Sequence, residues 1–98
     1  MPATSVPVSV ADNRAVVTTA GTAVQLPALP VRTVALTAET DNTGVIVIGA
    51  STVVAALATR RGLPLSAGDT ATFVVSDLSE LWMDSTVSGD GVTWIGLS

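Results

Sequence analysis

Ninety-eight residues make one domain, with no room for a second core. The chain has no His, Cys, Tyr or Lys, so the common general base, the thiol and amine nucleophiles and the usual zinc ligands are missing, and no disulfide holds the fold. Four Arg against eight Asp and Glu give a net charge of −4, which repels a polyanionic backbone and argues against nucleic acid as a partner.

Sixteen Val, fourteen Thr and three Ile make a third of the chain β-branched, and such side chains suit a pleated surface. Fourteen Ala are scattered rather than set at three-and-four spacing. The expected fold is all-β, a small β-sandwich or β-barrel, with residues 1–12 as an extended N-terminal arm and residues 13–98 as a single β domain.

At the N-terminus, Met1 to Val8 lacks a basic stretch ahead of an apolar block, so no secretory signal is expected. Val6, Val8 and Val10 alternate before the polar Ala11-Asp12-Asn13. A strand-like run from Arg14 to Ala20 stops at Gly21, and a second runs from Thr22 to Leu26. Pro27 and Pro30 bracket an extended connection. Val34, Leu36 and Ala38 share one face of the next strand, opposite Ala35 and Thr37. Asp41-Asn42-Thr43-Gly44 is the clearest turn, because Asx side chains bond nearby backbone and Gly tolerates a positive φ.

Val45-Ile46-Val47-Ile48 follows, apolar on both faces, and small apolar residues continue from Thr52 to Ala58. The whole stretch from Val45 to Ala58 is 14 residues, short of the ~20 that cross a bilayer, so no membrane span is expected. Arg60 to Gly68 reads as a loop. Thr70, Thr72 and Val74 then alternate with Ala71, Phe73 and Val75 in a strand. Leu78 to Asp84 suits either a strand or a short helical turn, and Gly89-Asp90-Gly91 turns into a last strand through Leu97.

Two stretches carry no charge, Ala15 to Val31 and Asn42 to Thr59. Charged residues normally protect strand edges from pairing, and a strand apolar on both faces needs cover on both. A domain with one core covers only one of them. The second cover for Val45, Ile46, Val47 and Ile48 is therefore expected from another copy of the chain, in a homo-oligomer; the alternative is that the run is simply a central sandwich strand and that the Thr, Ser and Ala of the uncharged stretches are solvated well enough.

The carboxylates are the only groups available for acid–base work. Asp77, Glu80 and Asp84 fall close together with Asp69 upstream, but nothing sets a pair across a cleft as glycoside hydrolysis requires. Neither Asp41-Asn42-Thr43-Gly44 nor Asp84 with Asp90 has the tight Asp spacing of a calcium loop. The serines lack a His or Lys to activate them, and Gly89-Asp90-Gly91 lacks the lysine of a phosphate loop. No catalytic, cofactor-binding or metal-binding residue is assigned, and the chain reads as a non-enzyme. Trp82 and Trp94 read as core or subunit-interface residues; exposed, they would offer a platform for stacking on sugars.

Val34-x-Leu36-x-Ala38, Asp41 to Gly49, Arg61-Gly62-x-x-Leu65-x-x-Gly68-Asp69 and Asp77-Leu78-x-x-Leu81-Trp82 together resemble a group of small, acidic, β-rich virion structural proteins of tailed bacteriophages. The likeness covers roughly residues 22 to 97 and rests on turn and strand motifs. It implies a capsid decoration (cement) protein, located on the capsid surface of a virion assembled in the host cytoplasm. Its partners would be itself, as a trimer, and the major capsid protein. In that role Pro2, Val6, Pro7 and Val8 would lie across a neighbour as an arm, with Val45 to Ile48, Trp82 and Trp94 as further contacts. The alternative within the resemblance is a tail, baseplate or head-fibre module that binds a host-surface glycan.

Overall fold

The computed structural model describes residues 9–98. Within them lie eight strands: β1 (Val10–Val16), β2 (Val24–Gln25), β3 (Thr33–Ala38), β4 (Ile46–Gly49), β5 (Leu63–Leu65), β6 (Thr70–Val74), β7 (Trp82–Ser85) and β8 (Gly91–Leu97). They form two antiparallel four-stranded sheets, ordered β1-β8-β3-β6 and β2-β7-β4-β5. The all-β expectation holds; the helical elements among the described residues are single 3-10 turns at Leu57–Thr59 and Leu78–Glu80. Both sheets are open, and they face one another across one core, so the architecture is a two-layer sandwich rather than a closed barrel.

Strand alternation builds that core. On β3 every second residue, Val34, Leu36 and Ala38, is buried, and Val92 and Trp94 of β8 lie in the same layer. Ile46 and Ile48 of β4, Met83 of β7 and Leu65 of β5 meet them from the second sheet. Val17, Leu26 and Leu78 join the same cluster from outside the strands. Full burial of such side chains contributes about 1.5–3 kcal/mol each.

Several local readings change. The polar Ala11-Asp12-Asn13 are strand: β1 begins at Val10 and pairs with β8 from Val10↔Leu97 to Val16↔Gly91, so residues 10–12, expected in the arm, pair within the sheet. The chain turns later, at Gly21, which takes a φ of +88°. Leu63-Pro64-Leu65, expected as loop, adds β5 to the edge of β4. Leu78 to Asp84 is both candidates in succession, a 3-10 turn and then β7.

The second face of β4 is covered by its own chain. Ile46, Val47 and Ile48 are all buried; Ile46 and Ile48 point into the main core, while Val47 points to the opposite face. There Val53 and Ala55 of the β4–β5 connection pack on Val47, with Ala23, Val45 and Trp82 half-buried around them. The connection is fastened by a bridge between Val54 and Arg61, and the Arg60 guanidinium donates to the Ala55 carbonyl at 3.0 Å. The uncharged run from Thr52 to Thr59 is thus a lid on β4, and no second subunit is needed to seal that strand.

The Asp41 to Gly44 turn is held by polar side chains from elsewhere. Asp90, itself buried, accepts the backbone N–H groups of Thr43 at 3.2 Å and Gly44 at 2.7 Å. Asn42 exchanges two hydrogen bonds with the backbone of Gly91, donating at 2.9 Å and accepting at 3.0 Å, and so extends the strand ladder with an amide side chain. Gly44 is required for space rather than for a positive φ, since a Cβ there would lie 2.7 Å from the Val87 side chain.

Candidate interaction surface

The outer face of the β1-β8-β3-β6 sheet is graded from apolar to polar along its strands. Register sets Val10, Leu97, Thr33 and Val74 in one row across the four strands. The next row is Asp12, Ile95, Ala35 and Thr72, and the third is Arg14, Thr93, Thr37 and Thr70. In the first two rows Val10 is 61% exposed, Leu97 39%, Ile95 46% and Val74 84%. Single exposed aliphatics are ordinary on protein surfaces, but a contiguous set on one face marks a contact area. At a strand spacing of ~4.8 Å the apolar row spans roughly 14 Å.

The polar row is internally satisfied. Arg14 grips Glu39 with two hydrogen bonds, Nε to Oε2 at 2.9 Å and Nη2 to Oε1 at 2.8 Å, and the hydroxyls of Thr37 and Thr70 meet at 2.8 Å. At the apolar end the face runs into an open groove of about 710 Å³ between Pro30, Val31 and Arg32 on one side and Val74, Val75 and Glu80 on the other. An uncommitted apolar end and a self-paired polar end make the first two rows the surface best suited to a partner.

The residues singled out by sequence and described by the structure lie off this face. Trp94 is 6% exposed and lies in the core, so it presents no ring face for a sugar. Its Nε1 has no hydrogen-bond partner among the described residues. Trp82 is half-buried on the outside of the second sheet, packed on the cluster around Val47. Val45 sits beside it, and Ile46, Val47 and Ile48 are sealed inside. Pro2, Val6, Pro7 and Val8 lie outside the described residues.

Five of the carboxylates, Asp69, Asp77, Glu80, Asp84 and Asp90, hold backbone together. Asp84 accepts from the N–H groups of Gly21, Ala55 and Ser85, Asp90 holds the Asp41 to Gly44 turn, and Asp69 accepts from Ser66 N–H in the turn before β6. Asp77 caps the 3-10 turn in a reciprocal capping box with Glu80 and also accepts from Leu29 N–H at 3.1 Å. No group of three or more His, Cys, Asp or Glu gathers as a metal site among the described residues. Among them, no helix is long and apolar enough to cross a membrane.

The capping box gives the fold an acid dependence. Hydrogen bonds from the Ser79 hydroxyl and backbone, then from Leu29 N–H, hold the Asp77 carboxyl below its ordinary value, against the opposing effect of burial. The Ser76 hydroxyl, followed by the Asp77 N–H, does the same for Glu80. A carboxylate depressed in the folded state contributes stability that is complete above its unfolded pKa and is lost as pH falls through the folded one. Asp77→Asn is therefore expected to lower stability at pH 7 and to flatten its decline below the ordinary carboxylate range, as read by urea unfolding at a series of pH values. An unchanged acid limb would contradict this assignment.

Searches against protein-family models, curated proteins and solved structures give no match to this chain.

Proposed function

We propose that this chain is a non-enzymatic structural protein of the virion type its sequence resembles, a capsid decoration protein that docks on the major capsid protein lattice. The observation that carries the reading is the exposed aliphatic set Val10, Val74, Ile95 and Leu97 on one sheet face. The contact surface moves accordingly, from β4 and the tryptophans to the outer face of the β1-β8-β3-β6 sheet. The half-buried Trp82 and the buried Trp94 give the glycan-binding alternative no open stacking platform. A small two-layer β domain with a rigid core suits adhesion, since strands present side chains without the ordering cost of a loop.

The mechanism is linkage. A protein that binds the assembled shell and not its free subunits stabilises the shell by the free energy of binding. Each aliphatic fully buried at the contact contributes about 1.5–3 kcal/mol, set against the loss of rotational and translational freedom on docking. Neighbouring copies held on one lattice would add avidity.

The test is co-sedimentation with empty heads built from the major capsid protein of the same virus. Saturable occupancy is expected, and Ile95→Lys, which charges the middle of the face without touching the core, is expected to weaken binding at least about tenfold, the effect of ~1.4 kcal/mol. Heads that stay bare with the wild-type chain would overturn the reading, as would equal occupancy by the variant.

A further inference from the structure

The described part of the chain has four strand edges, and three of them are blunted. β1 carries the charged Asp12 and Arg14 on its outer face, β2 is two residues long and soon followed by Pro27, and β5 has Pro64 at its centre. Charge, brevity and proline are the ordinary means of stopping a strand from pairing with another chain. β6, Thr70-Ala71-Thr72-Phe73-Val74, has none of them.

Its hydrogen-bond phase shows what it offers. The Ala38 N–H donates to the Asp69 carbonyl at 2.9 Å, and the Val75 N–H donates to the Arg32 carbonyl at 3.1 Å. Ladder alternation therefore turns the carbonyl of Asp69 and the backbone groups of Ala71, Phe73 and Val75 toward β3, while the Asp69 N–H donates to the Ser66 carbonyl in the turn before β6. The N–H and C=O groups of Thr70, Thr72 and Val74 point away from the sheet, toward no other strand among the described residues.

The geometry points to β6 as a self-pairing edge, on which β6 of a second copy docks antiparallel about a two-fold axis through Thr72. A two-fold centred there engages all three outward residues, Thr72 with Thr72 and Thr70 with Val74; a shift of one residue either way engages only two. Charge selects the same register. With Thr72 at the centre, Asp69 faces Val75 of the second copy, and that copy's Arg32 lies one strand further in, two strand spacings or ~10 Å from Asp69 and within the combined reach of the two side chains. Arg32 and Asp69 are both exposed and, among the described residues, neither has an ionic partner. The two-fold supplies one to each, twice.

The axis stands perpendicular to the sheet, so both copies turn their outer faces to the same side and the aliphatic surface is doubled. A five-residue edge pair falls below the ~1,000 Å² of a stable interface, so the dimer is weak when free and reinforced where copies are held side by side. The pairing does not rest on the capsid reading, and its test needs no shell.

Because the chain has no cysteine, Thr72→Cys gives a clean crosslinking probe. Opposed residues of a hydrogen-bonded pair sit ~5.5 Å apart at Cα, within disulfide reach. Thr72→Cys at millimolar concentration is expected to form a disulfide dimer at least about tenfold faster than Thr93→Cys, on the same face but inside the sheet. Arg32→Asp and Asp69→Lys are each expected to slow that crosslink several-fold, and the two together to restore it. Equal rates for the two cysteine variants, or no rescue by the double charge reversal, would overturn the pairing. Sedimentation of the wild-type chain as a trimer that Thr72→Lys leaves intact would do the same.

Discussion

Asp84→Ala is expected to destabilise the fold by about 3–5 kcal/mol, a large share of the 5–15 kcal/mol available to a small domain. Asp84 is 2% exposed, and its carboxylate accepts N–H groups from three places: Gly21 at 2.9 Å, Ala55 at 2.9 Å and its neighbour Ser85 at 2.8 Å. The first fixes the turn between β1 and β2, and the second fixes the lid over β4. Alanine would leave the buried N–H groups of Ala55 and Ser85 without a partner and release the exposed Gly21 turn to water, and an unmade hydrogen bond to a charged group costs more than a neutral one. Asp84→Asn, which keeps the volume but turns a donor toward one of the N–H groups, should lie between. Urea unfolding followed by tryptophan fluorescence measures both; a loss below about 1 kcal/mol for alanine would show that the lid does not depend on this carboxylate.

Gly62→Ala is expected to cost about 3 kcal/mol or more, through two separate effects. Gly62 has a φ of +122°, where a side chain is strained, and a Cβ there would stand 2.6 Å from the Ile48 carbonyl oxygen and 2.7 Å from the Val47 side chain. The close approach lets the connection return against β4 and close the lid. Gly68 gives the comparison, with φ +86° but nothing within 4 Å of an added Cβ. Gly68→Ala should cost about 1 kcal/mol, the conformational part alone. Equal effects at the two glycines would mean that steric closure at Gly62 contributes nothing.

Both substitutions act on the feature that sequence alone misplaced. Two-sided apolarity in Val45 to Ile48 correctly shows that β4 needs two covers. It does not say whether the second comes from another chain or from residues 52 to 59, because small uncharged residues suit an interface and a lid equally well. The resolving signals were weak: the polar anchor is Asp84, thirty-seven residues beyond Val47, and Gly62 looks like any loop glycine until the backbone beside it is known.

Where alternation was strong, the reading was direct. Val34, Leu36 and Ala38 on one face of β3 need only the period-2 rule, and the strand from Thr70 is legible in the same way. β1 was obscured because Asp12, Asn13 and Arg14 sit on a pleat with an open edge, where polar residues are tolerated in mid-strand. β5 was hidden by its length of three residues and by Pro64. The outer-face set could not be read at all, since Val10, Val74, Ile95 and Leu97 come together only through β1-β8-β3-β6 pairing, which no local pattern specifies.

The most direct measurement is hydroxyl-radical footprinting of the chain free and bound to empty heads. Oxidation of Val74, Ile95 and Leu97 should fall on binding, while Leu57 of the β4–β5 connection and Leu63 of β5, exposed on the second sheet's side, should be oxidised as before. Protection of Leu57 and Leu63 with Val74, Ile95 and Leu97 left reactive would contradict the assignment of the contact to the outer face of the β1-β8-β3-β6 sheet.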